Sequence, residues 1–260
     1  MEHGARIRVN ASVQLRRAGW ASTLRGVRAL QVLRHHDEAI TAAVKADVAS
    51  ALGDDLTIAT VVEGAERALL ALDAAGQRLI ERQALTIACA AGCSYCCHVH
   101  ADVTIPEILV ITRHLEATWS EPARRALHDR LALHVAQVER LSDDERWAAK
   151  IPCALLDDAG RCSIHAARPL RCRAFNASDV EPCRSAFQGD VDATPAQIPR
   201  LDRAHNAAEA GYDEALVDAG LSAAAHRLET GLLVALDDPE AGSRWLAGEA
   251  AFARARSPAH

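Results

Sequence analysis

The chain has 260 residues and a formal net charge of -6; half of its residues are hydrophobic and only 3% are aromatic. This length allows one or two domains with a proper core, so cysteines are not needed to staple a very small fold. No basic run marks a nucleic-acid-binding surface, no stretch of about 20 apolar residues could span a membrane, and residues 1–10 lack the apolar core of a secretion signal. We therefore expect a cytoplasmic protein without nucleic-acid or membrane partners.

The composition favours α-helices, because alanine and leucine dominate its apolar half and β-branched and aromatic residues are scarce. Residues from about Trp20 to Gln83 are predicted to be helical, with Asp54 and Asp55 as candidate N-cap residues. Three later signatures predict helix starts by capping chemistry or an early proline. They are Thr104-Ile-Pro-Glu107, Ser120-Glu-Pro122, and Ser142 with Glu145.

The stretch from Cys153 to Cys183 shows no clear periodicity and is predicted to be irregular. It contains the turn sequence 157–160, and Arg168 precedes a proline, which disfavours helix at that residue. We expect something other than apolar packing to order such a segment, and bound metal is a natural candidate. After it, Thr194–Gln197 is predicted to cap a helix, and helical spacing returns over 201–219, 222–237 and 239–253.

These elements predict a mainly α fold, with a helical scaffold around an irregular cysteine-rich metal-binding centre. We divide the chain into an N-terminal helical region (1–84), a cysteine-cluster core (85–185) and a C-terminal helical region (186–260). We expect the three regions to form one compact unit.

The eight cysteines lie in two segments, one within residues 89–97 and the other within 153–183. Short spacings let a chain wrap around a centre while its thiolates converge, and thiolates are the natural ligands of zinc and of iron–sulfur clusters. In a reducing compartment such a set is expected to bind metal rather than form disulfides. The predicted metal ligands are Cys89, Cys93, Cys96, Cys97, Cys153, Cys162, Cys172 and Cys183.

The adjacent pair Cys96 and Cys97 constrains the number of centres. Neighbouring side chains point to opposite faces of a strand, or about 100° apart on a helix. Either the two thiols face different metals, or one is a ligand and the other packs as a small apolar residue. The sequence leaves two arrangements open. The eight thiols form either two four-ligand sites or one cluster with several inert cysteines.

Basic and imidazole side chains surround the second segment. We predict that Arg168, Arg171 and Arg173 offset thiolate charge or bind an anionic cofactor, since guanidinium groups bind carboxylate or phosphate; surface ion pairs are the alternative. Imidazole suits zinc and iron, so three nearby histidines are either ligands or ordinary neighbours. They are His98, His100 and His165.

Two signatures resemble a known family. The first is Cys-x3-Cys-x2-Cys-Cys at 89–97, followed by Pro106-Glu107; the second combines Gly-Arg-Cys-Ser-Ile-His at 160–165 with Arg-Pro-Leu-Arg-Cys-Arg at 168–173. Together they resemble the CxxCxxCC zinc- or iron-chelating domain family, which includes the flagellin lysine N-methylase. The resemblance covers roughly residues 89–175 and implies metal chelation by the clustered cysteines.

The first segment is also similar to the Cys-x3-Cys-x-aromatic-Cys loop of radical S-adenosylmethionine enzymes. In that family three cysteines hold a [4Fe-4S] cluster and one iron stays open for the cofactor. Such a loop normally opens a barrel of strand–helix units, and no alternating strand–helix pattern is visible in this chain.

The leading expectation is a metal-binding protein that holds an iron–sulfur cluster, or iron or zinc ions, and supports a modification reaction. A first alternative is an S-adenosylmethionine-dependent enzyme, either N-methylase-like or radical, whose substrate is a protein or a small molecule. A second is a helical interaction protein with purely structural zinc. The sequence leaves open whether the protein is an enzyme.

Overall fold

A computed structural model describes residues 37–258, and its regular structure there is almost entirely helical. This confirms the prediction of a mainly α fold. One short antiparallel sheet pairs Asp102 with Arg227 and Val103 with His226. The helices and strands are α1 (Glu38–Leu52), α2 (Ile58–Gln83), β1 (Asp102–Val103), α3 (Ile105–Thr118), α4 (Glu121–Val138), α5 (Asp143–Ala149), α6 (Leu170–Ala174), α7 (Glu181–Gln188), α8 (Pro199–Asp218), β2 (His226–Arg227), α9 (Leu228–Asp237) and α10 (Ala241–Leu246). Single turns of 3₁₀ helix lie at Tyr95–His98, His165–Ala167 and Ala253–Ala255.

The most extensive contacts between helices join α1, α2 and α8. Small residues let these helices approach closely: a Cβ added to Gly211 of α8 would collide with the carbonyl oxygen of Thr41 in α1. Val48 and Val61 are fully buried between them. Apolar side chains at helical spacing thus produce a tightly packed group of helices on one side of the protein.

Helices α3 and α9 pack against each other in the centre of the apolar core. Ile108 of α3 lies against Gly231 of α9, and Leu232 of α9 and Leu131 of the neighbouring α4 are fully buried. The same core extends into the second cysteine segment, which contributes apolar side chains placed between its cysteines. These are Leu155, Ile164 and Leu170, each at most 3% exposed.

The three helix starts predicted from capping chemistry are confirmed. Thr104 and Glu107 cap α3 reciprocally, Ser120 accepts a bond from the first turn of α4, and Ser142 with Glu145 caps α5. Two other predicted caps are wrong. Helix α2 is capped by Thr57 with Thr60 rather than by Asp54 or Asp55, and α8 begins at Pro199, after the predicted cap at 194–197.

Several predicted segments also differ from the structure. The helix predicted over 222–237 begins only at Leu228, because residues 226–227 pair with β1, and 239–253 is α-helical only over Ala241–Leu246. The second cysteine segment is less irregular than predicted, since it contains α6 and the start of α7. The predicted helical residues 20–36 lie outside the described part of the chain. Within residues 37–258, no helix is both long and apolar enough to cross a membrane.

Candidate metal centre

Backbone hydrogen bonds place the two cysteine segments side by side. The amide of Cys153 donates to the carbonyl oxygen of Cys97 at 2.7 Å. The chain then turns back on itself, with an antiparallel bridge between Leu156 and Cys162 and a bond from the Ser163 amide to the Leu155 oxygen at 2.8 Å. Residues 153–163 therefore form a small hairpin that lies directly against the end of the first segment.

Four thiols from the two segments form what we call the inner thiol group: Cys97, Cys153, Cys162 and Cys172. Burial raises the pKa of Cys162, and a negative charge on Cys97 raises it further. Burial likewise raises the pKa of Cys172, which is also raised by charges on Cys97 and Cys162. The pKa of Cys153 is raised by burial, by Glu229 and by the thiols Cys172 and Cys97. The four thiols are thus close enough for each to act on its neighbours.

Two backbone amides oppose this trend at the inner thiol group. The amide of Leu155 donates to the Cys153 sulfur, and the amide of Ile164 donates to the Cys162 sulfur. Each bond lowers the pKa of its thiol, against the larger effect of burial, which raises it. Each donor lies two residues after its cysteine and carries a buried apolar side chain. The buried side chains therefore orient amides that stabilise thiolates, as N–H groups do around metal-bound sulfur.

Three further cysteines form a second set, which we call the outer thiol group: Cys89, Cys93 and Cys183. Burial raises the pKa of Cys183, and charges on Cys89 and Cys93 raise it further. Burial and a charge on Cys93 also raise the pKa of Cys89. Cys89 is exposed to solvent, so the outer group lies at the surface.

Helix α7 brings Cys183 to the first cysteine segment. Phe187 lies one turn after Cys183, on the same face of the helix. Its ring packs against Tyr95 at 5.4 Å, His98 at 4.7 Å and Trp147 at 5.5 Å between centroids. Docking of this aromatic side chain therefore directs Cys183 toward the loop that carries Cys89 and Cys93.

Cys96 lies next to the inner thiol group. Its thiol hydrogen-bonds with the Cys97 thiol, and this contact, followed by burial, raises the pKa of Cys97. The backbone here is one turn of 3₁₀ helix whose Cys97 has φ -86° and ψ 15°. The adjacent thiols therefore touch, rather than pointing apart as they would on a strand.

Across residues 37–258, no three Cys, His, Asp or Glu side chains are arranged as a ready-made site for a metal ion. The thiols are near one another without converging on a single point. The eight predicted ligands therefore remain predictions.

Arg168 lies near thiols of both groups. Its charge lowers the pKa of Cys89 in the outer group and of Cys97, Cys162 and Cys172 in the inner group, against the larger effects of burial and of neighbouring thiols. Its Nε is buried and, in the described part of the chain, has no hydrogen-bond partner. A buried cation without a full set of acceptors fits a neighbourhood in which the thiols are ionised.

The other two predicted cofactor-binding arginines form ion pairs in this structure. Arg171 binds Glu209 at 3.0 Å, and both side chains are largely buried. Arg173 pairs with Asp73 and donates through Nε to the Arg168 carbonyl oxygen at 2.6 Å. Arg173 thereby fixes the backbone of Arg168, and only Arg168 combines a position beside the thiols with an unpartnered nitrogen.

The three candidate histidines have different surroundings. His98 is buried, with Nδ1 3.0 Å from the Ser94 carbonyl oxygen. Both nitrogens of His100 are engaged, since Nε2 donates to the Leu141 oxygen at 3.1 Å and Nδ1 accepts from Arg146 at 3.0 Å. His165 is exposed. His100 is therefore not free to bind metal without losing a bond.

A buried ionic network behind Cys153 was not predicted from the sequence. Arg146, which is fully buried, donates to Glu229 at 2.7 Å, and His134 lies 3.3 Å from the same carboxylate oxygen. Burial would raise the pKa of Glu229, but the bond from His134 and the charge of Arg146 hold it well below its usual value. A single charged residue in the otherwise uncharged run 228–236 was the sequence signal that could have indicated this network.

Glu107 has a second role beyond its predicted cap. Its Oε2 accepts from the amide of Thr104 at 2.7 Å, and its Oε1 accepts from the amide of Leu170 at 2.8 Å. Leu170 is the first residue of α6, the helix that carries Cys172. The side chain that begins α3 therefore also positions one thiol of the inner group.

The helical scaffold and its grouped thiols define a mainly α protein with a cysteine-rich segment. Residues 88–198 match the family model CxxCxxCC, described as a "putative zinc- or iron-chelating domain", and this confirms the resemblance inferred from the motifs. The matched residues include all eight cysteines. No curated protein and no solved structure matches the chain. The family match supports a metal-binding role.

Proposed function

We propose that this protein chelates metal through its clustered cysteines, with an iron–sulfur cluster as the leading occupant and iron or zinc ions as the alternative. One observation carries the proposal. Thiols that are far apart in sequence, from Cys97 to Cys172, are neighbours in the inner thiol group, which is built on the backbone bond between Cys153 and Cys97.

The chemistry of the donors fits such an occupant. Thiolates favour zinc and iron–sulfur clusters over hard cations such as magnesium. Four thiolates around a divalent ion or a cluster leave net negative charge, and Arg168 and the amides of Leu155 and Ile164 are placed to offset it. When bound, a cluster would supply electron transfer or an open iron, whereas zinc would supply structure or Lewis acidity.

The spacing of Cys89, Cys93 and Cys96 favours the cluster, because it is shared with loops that hold [4Fe-4S] clusters. The eight free thiols agree with the predicted reducing, cytoplasmic compartment. A supported modification reaction and an S-adenosylmethionine cofactor remain predictions. Calorimetry of the metal-loaded protein with S-adenosylmethionine tests them, and the absence of heat would count against that cofactor.

Anaerobic purification followed by iron, zinc and sulfide analysis per chain tests the proposed function. Iron and sulfide in stoichiometric amounts, with a broad visible absorption band, would support the cluster. Colourless protein with stoichiometric zinc would contradict the cluster and leave chelation standing. Metal-free protein from an anaerobic preparation would overturn the proposal.

A further inference from the structure

A small cleft lies between α6 and α8. The end of α6 with the residue after it forms one wall, and the first turns of α8 form the other. The cleft encloses about 40 Å³, room for roughly three water molecules. Its polar and aromatic lining consists of Arg171, Phe175, Gln197, Asp202, His205 and Asn206. A group that fits inside is therefore restricted to a few non-hydrogen atoms.

Two buried asparagines at this part of the fold differ in their hydrogen bonds. Asn176, which is 7% exposed, donates through Nδ2 to the Ala174 oxygen at 3.0 Å and to Asp202 at 3.1 Å. Its Oδ1 accepts from the Ile198 amide at 3.0 Å. Asn206 is 6% exposed, and among the described residues its buried Nδ2 has no hydrogen-bond partner. Asn176 is thus satisfied by the fold, whereas Asn206 lines the cleft with a donor that the fold leaves unsatisfied.

The charged groups at the cleft do not favour an anionic ligand. The guanidinium of Arg171 pairs with Glu209 at 3.0 Å, and Asp202 adds a second carboxylate on the same helix. Burial lowers the pKa of His205, so its ring is uncharged at neutral pH. One cation therefore faces two carboxylates, which disfavours a bound carboxylate or phosphate. Arg171 still offers hydrogen bonds, because a guanidinium carries five N–H donors.

His205 forms a wall of the cleft rather than a further donor. Its Nδ1 donates to the Ala174 oxygen at 3.3 Å. A Cβ on Gly76 of α2 would lie 2.8 Å from its Nε2, so the other ring nitrogen faces the backbone of α2. The donors that remain for a ligand are those of Asn206 and Arg171, and the acceptors are the side-chain oxygens of Asp202 and Gln197.

We propose that this cleft binds a small uncharged primary amide. Its carbonyl oxygen accepts from the Asn206 side chain and from the Arg171 guanidinium. Its NH₂ group donates to the side-chain oxygens of Asp202 and Gln197, and its carbon atoms pack against the Phe175 ring. This site goes beyond the proposed chelating function and does not depend on it.

Acetamide is the probe, and it is added to full-length ¹⁵N-labelled protein. The side-chain NH₂ signal of Asn206, assigned by its absence in Asn206→Leu, should shift and saturate with a Kd on the order of 1–10 mM, as expected for so small a ligand. Acetate has the same size and shape and should bind about tenfold more weakly or worse. Acetate binding as tight as that of acetamide, or an acetamide shift that never saturates, would overturn the proposal.

L-Glutamine distinguishes two sources of the amide. A saturable shift at least as tight as that of acetamide would assign the site to an amide carried by a larger molecule that extends out of the cleft. A response to acetamide without one to glutamine would assign it to a free small amide. L-Glutamate is the matched control in this arm, and tighter binding of glutamate than of glutamine would count against an amide site.

The stability of Asn206→Leu separates a ligand-binding role from a structural one. Leucine is similar in size and removes the unsatisfied donor, so the variant should lose the acetamide response while its urea midpoint stays at or above that of the wild type. Asn176→Leu is the matched control and should have a lower midpoint, because it breaks three hydrogen bonds. A midpoint lowered equally in both variants would show that the fold itself satisfies Asn206 and would overturn the site.

Metal analysis keeps this inference distinct from the proposed function. Asn206→Leu should retain the metal content of the wild type, since the substitution leaves all eight cysteines in place. Wild-type protein that lacks metal but binds acetamide would overturn chelation and leave the amide site standing. Metal-loaded wild type without a saturable acetamide response would do the reverse.

Discussion

The helical part of the molecule and its cysteine segment are ordered by different forces. In α2, α3 and α9, side chains such as Leu72, Ile111 and Leu232 are at most 1% exposed, and apolar burial is sufficient to hold them. In the two cysteine segments, only a few apolar side chains, such as Leu155 and Ile164, reach that core, and short elements are joined by a few backbone bonds. We therefore expect the helical region to fold without metal and the cysteine segments to depend on metal for much of their order.

Metal removal should produce the largest difference in stability between the helical region and the cysteine segments. A structural thiolate site contributes on the order of 10 kcal/mol of binding free energy at neutral pH. After chelation, we expect amide protons of residues 153–172 to exchange rapidly, while those of α1, α2 and α8 stay protected. Hydrogen exchange read by mass spectrometry measures this. Equal loss of protection in both regions would contradict the division.

Arg146→Met should have the next largest effect, because the network it belongs to joins the two regions. Without Arg146, the buried carboxylate of Glu229 keeps only His134, and breaking a buried ion pair in this way costs about 3–5 kcal/mol. Urea unfolding measures the loss. Arg125→Met is the control: it removes an exposed pair with Glu121, which solvent screens, and should leave the unfolding free energy nearly unchanged.

Leu131→Ala tests whether the helical region is independent of the thiols. Leu131 is fully buried, so we expect a loss of about 2–5 kcal/mol in unfolding free energy with unchanged metal content. Leu133 lies two residues further along the same helix and is 77% exposed. Leu133→Ala should therefore stay within about 0.5 kcal/mol of wild type. Metal loss in Leu131→Ala would show that the two regions are coupled through α4.

Glu107→Gln should weaken the link between the regions by a smaller amount. Both carboxylate oxygens accept backbone amides, so the glutamine NH₂ must face the amide of either Thr104 or Leu170. An unsatisfied buried donor costs about 1–3 kcal/mol. We expect a lower unfolding free energy together with weaker metal retention in a chelator competition. A destabilised variant with normal retention would confine Glu107 to its capping role.

The smallest effect is expected at the surface pair of His128 and Asp237, whose Nε2 and Oδ1 atoms lie 2.7 Å apart. The bond to Asp237 raises the pKa of His128. The pair's contribution is therefore complete below the usual pKa of histidine and is lost as the pH rises through the raised value. Solvent screening limits it to about 0.5 kcal/mol. Melting temperatures across this pH range, compared between wild type and His128→Gln, should differ only slightly, with metal content unchanged.

Local chemistry explains which elements could be predicted from the sequence. The starts of α3, α4 and α5 depend on side chains within three residues of the cap, and all three were predicted correctly. Asp54 and Asp55 were wrong because Thr57 and Thr60 satisfy each other's backbone amides two residues later. At residues 226–227 the predicted helix is absent because pairing with β1, more than 100 residues earlier, overrides local propensity.

Long-range contacts account for what the sequence did not reveal at the site. The sequence showed the cysteines as a set, and the family match covers all of them. Their arrangement into inner and outer groups depends on the docking of α7 and on the hairpin that lies against Cys97. The partnership of Arg146 with Glu229 joins residues 83 positions apart and leaves no periodic trace. Ion pairs at Arg171 and Arg173 likewise depend on helices remote in sequence.

The bond from Leu170 to Glu107 also bears on the order of folding. The acceptor belongs to the first turn of α3, and the donor belongs to a segment 63 residues later. Closing such a loop costs entropy that only preformed contacts can repay. We therefore expect α3 to form before α6 docks, so that Cys172 reaches the other thiols as one of the last steps of folding. Metal that arrives earlier would meet an incomplete set of ligands.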